Sequence, residues 1–188
     1  MRYRLTVSEI VSLLFYKADD ITGKEMVSSE ILAEGKRIHD RLGFNDPQQY
    51  RRFIFDPNTN HWWLVIGCPD RIEQKDGKVL ELKTYWQARM PDRTKNAGIL
   101  QALIYCWLTG LSKWELWGYS TYSNKLSKIV EGHADDEFVY RSILKAIQLK
   151  MMLHDFRKIY LEVAEGGEED AGESGKADKA VAGNPAPE

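Results

Sequence analysis

An α/β fold, a central mixed β-sheet flanked by helices, is predicted for this chain of 188 residues. Three observations predict it. Helical and strand periods alternate in the order ααβββαββα, which suits helices packed on one sheet. The run HWWLVIGCPD, residues 61–70, is almost wholly apolar and reads as a central strand. Asp76–Gly77 then marks a hairpin leading into KVLELKTYW, whose apolar residues recur with period two.

The elements follow in order. Thr6 and Glu9 have capping-box spacing, so a first helix is expected over about 7–17, with Ile10, Val11, Leu13 and Leu14 as its apolar stripe. A longer helix over about 25–42 lines up Ile31, Gly35, Ile38 and Leu42, and Gly43 is its stop. YRRFIFDP gives a strand and DPNTN a turn before the apolar strand. QARMPDRTK, residues 87–95, reads as a loop, and a helix over about 95–109 ends at Gly110. SKWELWGYST, 112–121, is a strand, and KLSKIVEG, 125–132, is a shorter one suited to a sheet edge. Asp135 or Asp136 opens a last helix reaching about Tyr160. One domain is expected over residues 1–161, and no internal repeat is visible.

Composition bounds the function. At 43% hydrophobic residues the chain can bury a core, and without an apolar run of eighteen residues no membrane span is expected. The opening MRYRLTVSEI lacks the apolar stretch of a signal peptide. Cys68 and Cys106 are the only cysteines, too few for a disulfide framework or a four-cysteine metal site. Each lies in an apolar run, so both are expected as buried thiols in a reducing, cytoplasmic setting. The net charge of -2 conceals an asymmetry: from Glu162 onward there are eight acids and two lysines, leaving a body with a net +4. That body permits a polyanionic partner without requiring one. The segment 162–188, poor in large apolar residues, is expected to be a disordered acidic tail.

The hairpin groups the charged residues. With Asp76 and Gly77 as a two-residue turn, Lys75 faces Lys78, Ile72 faces Glu81 and Asp70 faces Lys83. Asp70, Glu81 and Lys83 then point to one side, with Leu80, Leu82 and Thr84 on the other. A one-residue slip would scatter the group. Two carboxylates beside an ammonium form a costly arrangement unless a cation joins them, and a hard divalent ion is the natural neutraliser. The plainer alternative is a surface salt bridge between Asp70 and Lys83. Against it stands the apolar strand running into Asp70, since central strands seldom end in carboxylates for packing reasons.

GCPD followed by ELK resembles the motif of the PD-(D/E)XK nuclease superfamily. More narrowly, the chain is similar to the RecB-type branch that includes the CRISPR-adaptation exonucleases. The resemblance spans roughly Leu5 to Tyr122. AEGKRIHDRL resembles the helix that supplies a histidine, here His39; Gly67 and Asp70 match the strand motif, Glu81 and Lys83 the second acid and lysine, and QALIY supplies Gln101 and Tyr105. The resemblance implies a restriction-endonuclease-like core and a metal-dependent deoxyribonuclease, an exonuclease hydrolysing phosphodiester bonds. It implies DNA, single-stranded or with free ends, as partner. Mg²⁺ or Mn²⁺ would be held by His39, Asp70, Glu81 and the backbone carbonyl of Leu82. The catalytic set would be Asp70, Glu81, Lys83, Gln101 and Tyr105, the last two steadying Lys83 or the DNA backbone. Neither cysteine has iron–sulfur spacing, so no cluster is expected and any strand unwinding tied to one is set aside. The rival reading is a catalytically inactive DNA-binding or partner-docking subunit on the same fold, and the intact Asp70, Glu81 and Lys83 weigh against it. A homo-oligomer stays open.

Other residues carry less. His39 borders the apolar stripe of its helix, where a hydrogen-bonded edge histidine is the plain alternative to a ligand; a histidine nitrogen among oxygens would favour Mn²⁺. Gln101 and Tyr105, four apart, share a helix face. Tyr85 and Trp86 precede Arg89, Arg93 and Lys95, with Arg51 and Arg52 on a neighbouring strand; cations beside aromatics suit a DNA backbone path, and a solvated loop is the alternative.

Overall fold

The computed structural model describes residues 3–15, 29–46 and 48–169. It divides into two compact units, Met1–Lys150 and Met151–Glu188. The elements are β1 (Arg4–Thr6), α1 (Val7–Phe15), α2 (Ser29–Leu42), β2 (Tyr50–Asp56), β3 (His61–Gly67), β4 (Arg71–Glu73), β5 (Lys78–Tyr85), α3 (Asp92–Thr109), β6 (Lys113–Ser120), β7 (Lys125–His133) and α4 (Asp136–Glu169). The expected helical residues 16–17 and 25–28, and the tail from residue 170 on, lie outside the described residues. The last helix runs past its expected end near Tyr160. β1 and β4 have three residues each; β1 was not expected, and β4 is the short remnant of the hairpin arm expected opposite KVLELK.

Local chemistry sets the ends. The Glu9 N–H donates to Thr6 Oγ1 at 3.1 Å and the Thr6 N–H to Glu9 Oε2 at 3.4 Å, a reciprocal capping box that starts α1. Asp135 caps α4, its Oδ1 accepting from the Phe138 N–H at 2.9 Å. Gly110, at φ 76°, closes α3 in the left-handed conformation open to glycine.

The strands form two mixed sheets where one was expected. One has the order β1-β3-β2, with β1 parallel and β2 antiparallel to β3. The other has the order β4-β5-β6-β7, with β5 and β6 parallel and joined through α3. The division falls within the run expected as one strand, residues 61–70. Pro69 has no N–H to give a ladder and biases Cys68 toward an extended turn, so β3 stops at Gly67 and pairing resumes at Arg71 with β5 as the new partner. Asp70 therefore sits between the two ladders, where its carbonyl accepts from the Asp46 N–H at 2.9 Å.

The hairpin register also differs. Glu73 pairs with Lys78 and Ile72 with Val79, so four residues, Gln74 to Gly77, make the turn. Gly77 takes φ 60° and donates its N–H to the Gln74 carbonyl at 3.4 Å. The expected register would have set Lys75 against Lys78. The observed one gives Lys78 three carboxylates, Glu73 at 2.9 Å, Asp76 at 3.4 Å and Glu115 at 3.0 Å, exchanging a like-charge pair for opposite charges. The shift is even, so the side chains paired between β4 and β5 keep their expected faces.

β5 is covered on both sides. Leu80 and Leu82 join Ile38, Phe44 and Tyr119 in a cluster beneath α2. The other face meets α3, which contacts β5 and β6 on one side and α1 on another. From Ala97 to Leu108, α3 is buried almost all round, the pattern of a helix inside a core. On α4, Val139, Ile143, Ala146 and Ile147 make a buried stripe at helical spacing. Among the described residues no helix is long and apolar enough to cross a membrane.

Ile104, fully buried on α3, provides a test of this core. Ile104→Ala is expected to cost about 2–5 kcal/mol in urea unfolding. Trp62→Ala, on an exposed ring, should stay within about 0.5 kcal/mol.

Candidate active site

Three elements and one seam meet around Glu81. Glu81 lies in mid-β5 and is fully buried. Its Oε1 accepts from Lys83 Nζ at 2.7 Å, two residues on along the same strand face. Lys83 Nζ also donates to Gln101 Oε1 at 2.6 Å, and Gln101 Nε2 donates to the Tyr105 hydroxyl at 3.4 Å. Gln101 and Tyr105, one turn apart on α3, share a helix face as their spacing predicted, and Gln101 holds the ammonium from the helix side with Tyr105 behind it.

Asp70 reaches the group from the seam. Its Oδ2 accepts from the Leu82 N–H at 2.8 Å, and its Oδ1 lies 3.4 Å from His39 Nδ1 on α2. The pairing of Arg71 with Leu80 carries Asp70 toward Glu81. The structure thus brings together His39, Asp70, Glu81, Lys83, Gln101 and Tyr105. Leu82 contributes its N–H to Asp70, while its side chain is buried among Ile38, Leu80 and Tyr119.

The electrostatics are uneven. Burial, then the nearby Asp70 charge, pushes the Glu81 carboxyl up to about 8, against the opposing pull of Lys83. Burial and the charge on Glu81 likewise raise the Tyr105 hydroxyl. Glu81 Oε2 is buried with no hydrogen-bond partner among the described residues. A buried carboxylate oxygen left so is costly unless a proton or a cation meets it. Among the described residues no three His, Cys, Asp or Glu side chains form a ready metal-binding group. The donor set is nonetheless suited to a hard divalent ion: an unpartnered Glu81 oxygen, the Asp70 carboxylate beside it and a histidine nitrogen at the Asp70 edge.

Two glycines make room. A Cβ at Gly67 would lie 2.5 Å from Val7 Cγ2 and 2.7 Å from Tyr105 Cε1. A Cβ at Gly98, on α3, would lie 2.7 Å from Leu116 Cδ1 and 3.2 Å from Lys83 Cγ. Helix α3 can approach closely enough to grip Lys83 because both positions lack a side chain.

A cavity of about 430 Å³ opens beside His39 and Asp70, and its wall includes Lys36, Asp46, Cys68 and Thr84, none of which was predicted as a site residue. Cys68 corrects an expectation. It is exposed, because the strand has already ended when the chain reaches it, whereas Cys106 is buried on α3 as expected.

Of the residues expected on the DNA path, Tyr85, Arg89 and Lys95 line one cavity, while Arg52 and Arg93 are engaged with backbone carbonyls. Arg51, Trp86 and Arg89 are exposed and Lys95 is half-buried. Arg52 donates to the Trp107 carbonyl at 2.8 Å and stacks over that indole at 4.7 Å, tying β2 to α3. Arg93 Nε donates to the Phe15 carbonyl at 2.8 Å. Tyr85 is only 8% exposed, which leaves its ring little surface for a base.

No protein-family model matches the chain, and no curated protein matches it in sequence. Among solved structures, that of SSO0001 matches with a TM-score of 0.58 at 18% identity, over 79% of this chain and 77% of that one, which shows a shared fold. LHK-Exo in complex with dAMP matches with a TM-score of 0.47 at 12% identity, over 86% of this chain and 95% of that one. A phage-related exonuclease from Haemophilus somnus 129PT matches with a TM-score of 0.47 at 10% identity, over 80% and 82%. The last two likenesses are too loose to assign anything to this chain.

Two predictions test the site. Gly67→Ala should cost about 1–3 kcal/mol by overpacking against Val7 and Tyr105, measured by urea unfolding. Glu81, in turn, keeps its proton up to about 8 when folded and loses it near 4.5 when unfolded. The folded chain then binds the extra proton between those values, so stability falls as pH rises through that window. Without divalent ions the unfolding midpoint of the native chain should drop from about pH 5 to about pH 8, and that of Glu81→Gln should drop less.

Proposed function

We propose that this chain is a divalent-metal-dependent deoxyribonuclease of the RecB-type branch of the PD-(D/E)XK superfamily, acting on DNA from free ends. The observation that carries the reading is the fully buried Glu81, one oxygen held by Lys83 and the other without a hydrogen-bond partner among the described residues, with Asp70 alongside. Purely structural ion pairs seldom leave a buried oxygen unmatched.

His39, Asp70, Glu81 and the Leu82 carbonyl would hold a Mg²⁺ or Mn²⁺ ion, which would lend Lewis acidity toward a phosphate oxygen and make a nearby water more acidic. The chain's own groups supply the rest. Gln101 and Glu81 fix the position of the Lys83 ammonium, which would act on a water or a phosphate oxygen bound there. That ammonium offsets negative charge developing on the scissile phosphate. Tyr105 orients Gln101, and the Leu82 N–H orients Asp70. Mildly basic outside its acidic tail, the chain has a charge balance that suits DNA.

Two observations favour a second reading, an inactive DNA-binding or partner-docking subunit: Glu81 Oε1 is already engaged by Lys83, and the described residues present no ready three-ligand group. Metal titration separates the two. In the nuclease, Mn²⁺ binding should strengthen as pH rises toward 8 and release a proton from Glu81, read by calorimetry in buffers of different ionisation enthalpy.

The direct test uses end-labelled linear and circular DNA, single- and double-stranded, with Mn²⁺, Mg²⁺ or chelator. Linear DNA should be degraded with metal and survive with chelator. Asp70→Ala and Lys83→Ala should each lose about 100-fold or more, and His39→Ala should raise the Mn²⁺ requirement. Cutting that persists in both the Asp70 and the Lys83 variants rules the assignment out, and cutting of circles turns it toward an endonuclease.

A further inference from the structure

We propose that Trp86 and Tyr122 form a paired aromatic platform that stacks unpaired nucleobases and selects single-stranded DNA for this site. The inference rests on the nuclease reading and specifies the substrate that the site takes. Trp86 is 59% exposed and Tyr122 75% exposed. Neither the indole N–H nor the phenol hydroxyl has a hydrogen-bond partner among the described residues. Rings of this size are usually turned inward when packing is their task.

The two are mounted together. Trp86 follows the last residue of β5, and Tyr122 lies at the tip of the turn between β6 and β7. The Thr121 N–H donates to the Tyr85 carbonyl at 2.9 Å, and Thr121 Oγ1 donates to the same carbonyl at 3.2 Å. Ser120 Oγ donates to the Gln87 carbonyl at 2.8 Å and accepts from the Ser123 N–H at 3.3 Å. Three of these hydrogen bonds lock the β6–β7 turn to the segment carrying Trp86, and the fourth braces the turn itself. Such a mount removes the ordering cost that a floppy aromatic would pay on binding.

The placement suits a strand leading to the candidate site. Trp86 lies three positions beyond Lys83, roughly 10 Å along an extended chain. Thr84, two residues before Trp86, lines the cavity beside His39 and Asp70. Both rings stand at the carboxyl ends of the parallel pair β5 and β6, where α/β proteins commonly bind ligands. Arg89 and Lys95 line a cavity of about 380 Å³ next to this segment, with Asp92 as the acid in its wall, and Lys125 is exposed at the start of β7. Cations track phosphates while the rings take bases, a combination that fits single strands; a duplex keeps its bases stacked on one another.

The test measures binding apart from cutting. The full chain in chelator is titrated against a labelled single-stranded oligonucleotide, the same length with abasic sites, and a blunt duplex, followed by fluorescence anisotropy. Trp86→Ala and Tyr122→Ala should each weaken single-strand binding roughly ten-fold, leave duplex binding unchanged and have no effect on the abasic strand. Trp86→Phe, which keeps a ring, should retain most of the affinity, and Trp62→Ala should match the native chain. Unchanged single-strand affinity in both alanine variants, or an equal loss on the abasic strand, overturns the platform. If the native chain still cuts with Mn²⁺ in that case, the nuclease reading survives without it. If the native chain neither binds nor cuts any of these substrates, both fall together.

Discussion

The rest of the structure depends on a carboxylate buried where it has no business being for packing alone. Glu81 is fully buried in mid-β5, and among the described residues only Lys83 forms an ion pair with it. Lys83 needs Gln101, Gln101 meets Tyr105, and both require α3 to lie close against β5. That approach requires Gly67 and Gly98 to lack side chains. Backbone spacing, helix placement and side-chain chemistry thus all converge on accommodating one acid.

The unmatched Glu81 oxygen gives the site its chemical potential. Desolvation and Asp70 make the proton bind tightly there, and anything that takes the proton's place must carry positive charge. Elsewhere the chain handles charge differently. Lys78 satisfies Glu73, Asp76 and Glu115 at the far end of the same strand, and Glu115 also accepts from the Trp117 indole at 2.8 Å. That cluster is partnered and sets the hairpin register; the Glu81 cluster leaves an acceptor open. The contrast between a closed and an open network on one strand separates structure from candidate chemistry.

The seam at Pro69 adds a second constraint. By ending β3 and releasing the chain to a new partner strand, it frees Asp70 from ladder pairing, so the Asp70 carbonyl is met by Asp46 and its carboxylate by the Leu82 N–H. The same break exposes Cys68 and opens the cavity bordered by α2. A continuous strand through residues 61–70 would have left no such opening.

The sequence by itself determined the local order: the capping box at Thr6 and Glu9, the long elements, and the side-chain parity that sets Glu81 and Lys83 on one face of β5. These follow from short-range sterics and periodicity, which read along the chain. The one-turn spacing of Gln101 and Tyr105 was legible for the same reason. Tertiary structure alone decided the division into two sheets, the four-residue turn, the exposure of Cys68, the anchoring of Arg52 on Trp107, and the meeting of Trp86 with the turn that carries Tyr122. Each of these depends on which distant partner satisfies a backbone group or a charge. That choice is a competition among whole-chain arrangements, and no local pattern records its outcome.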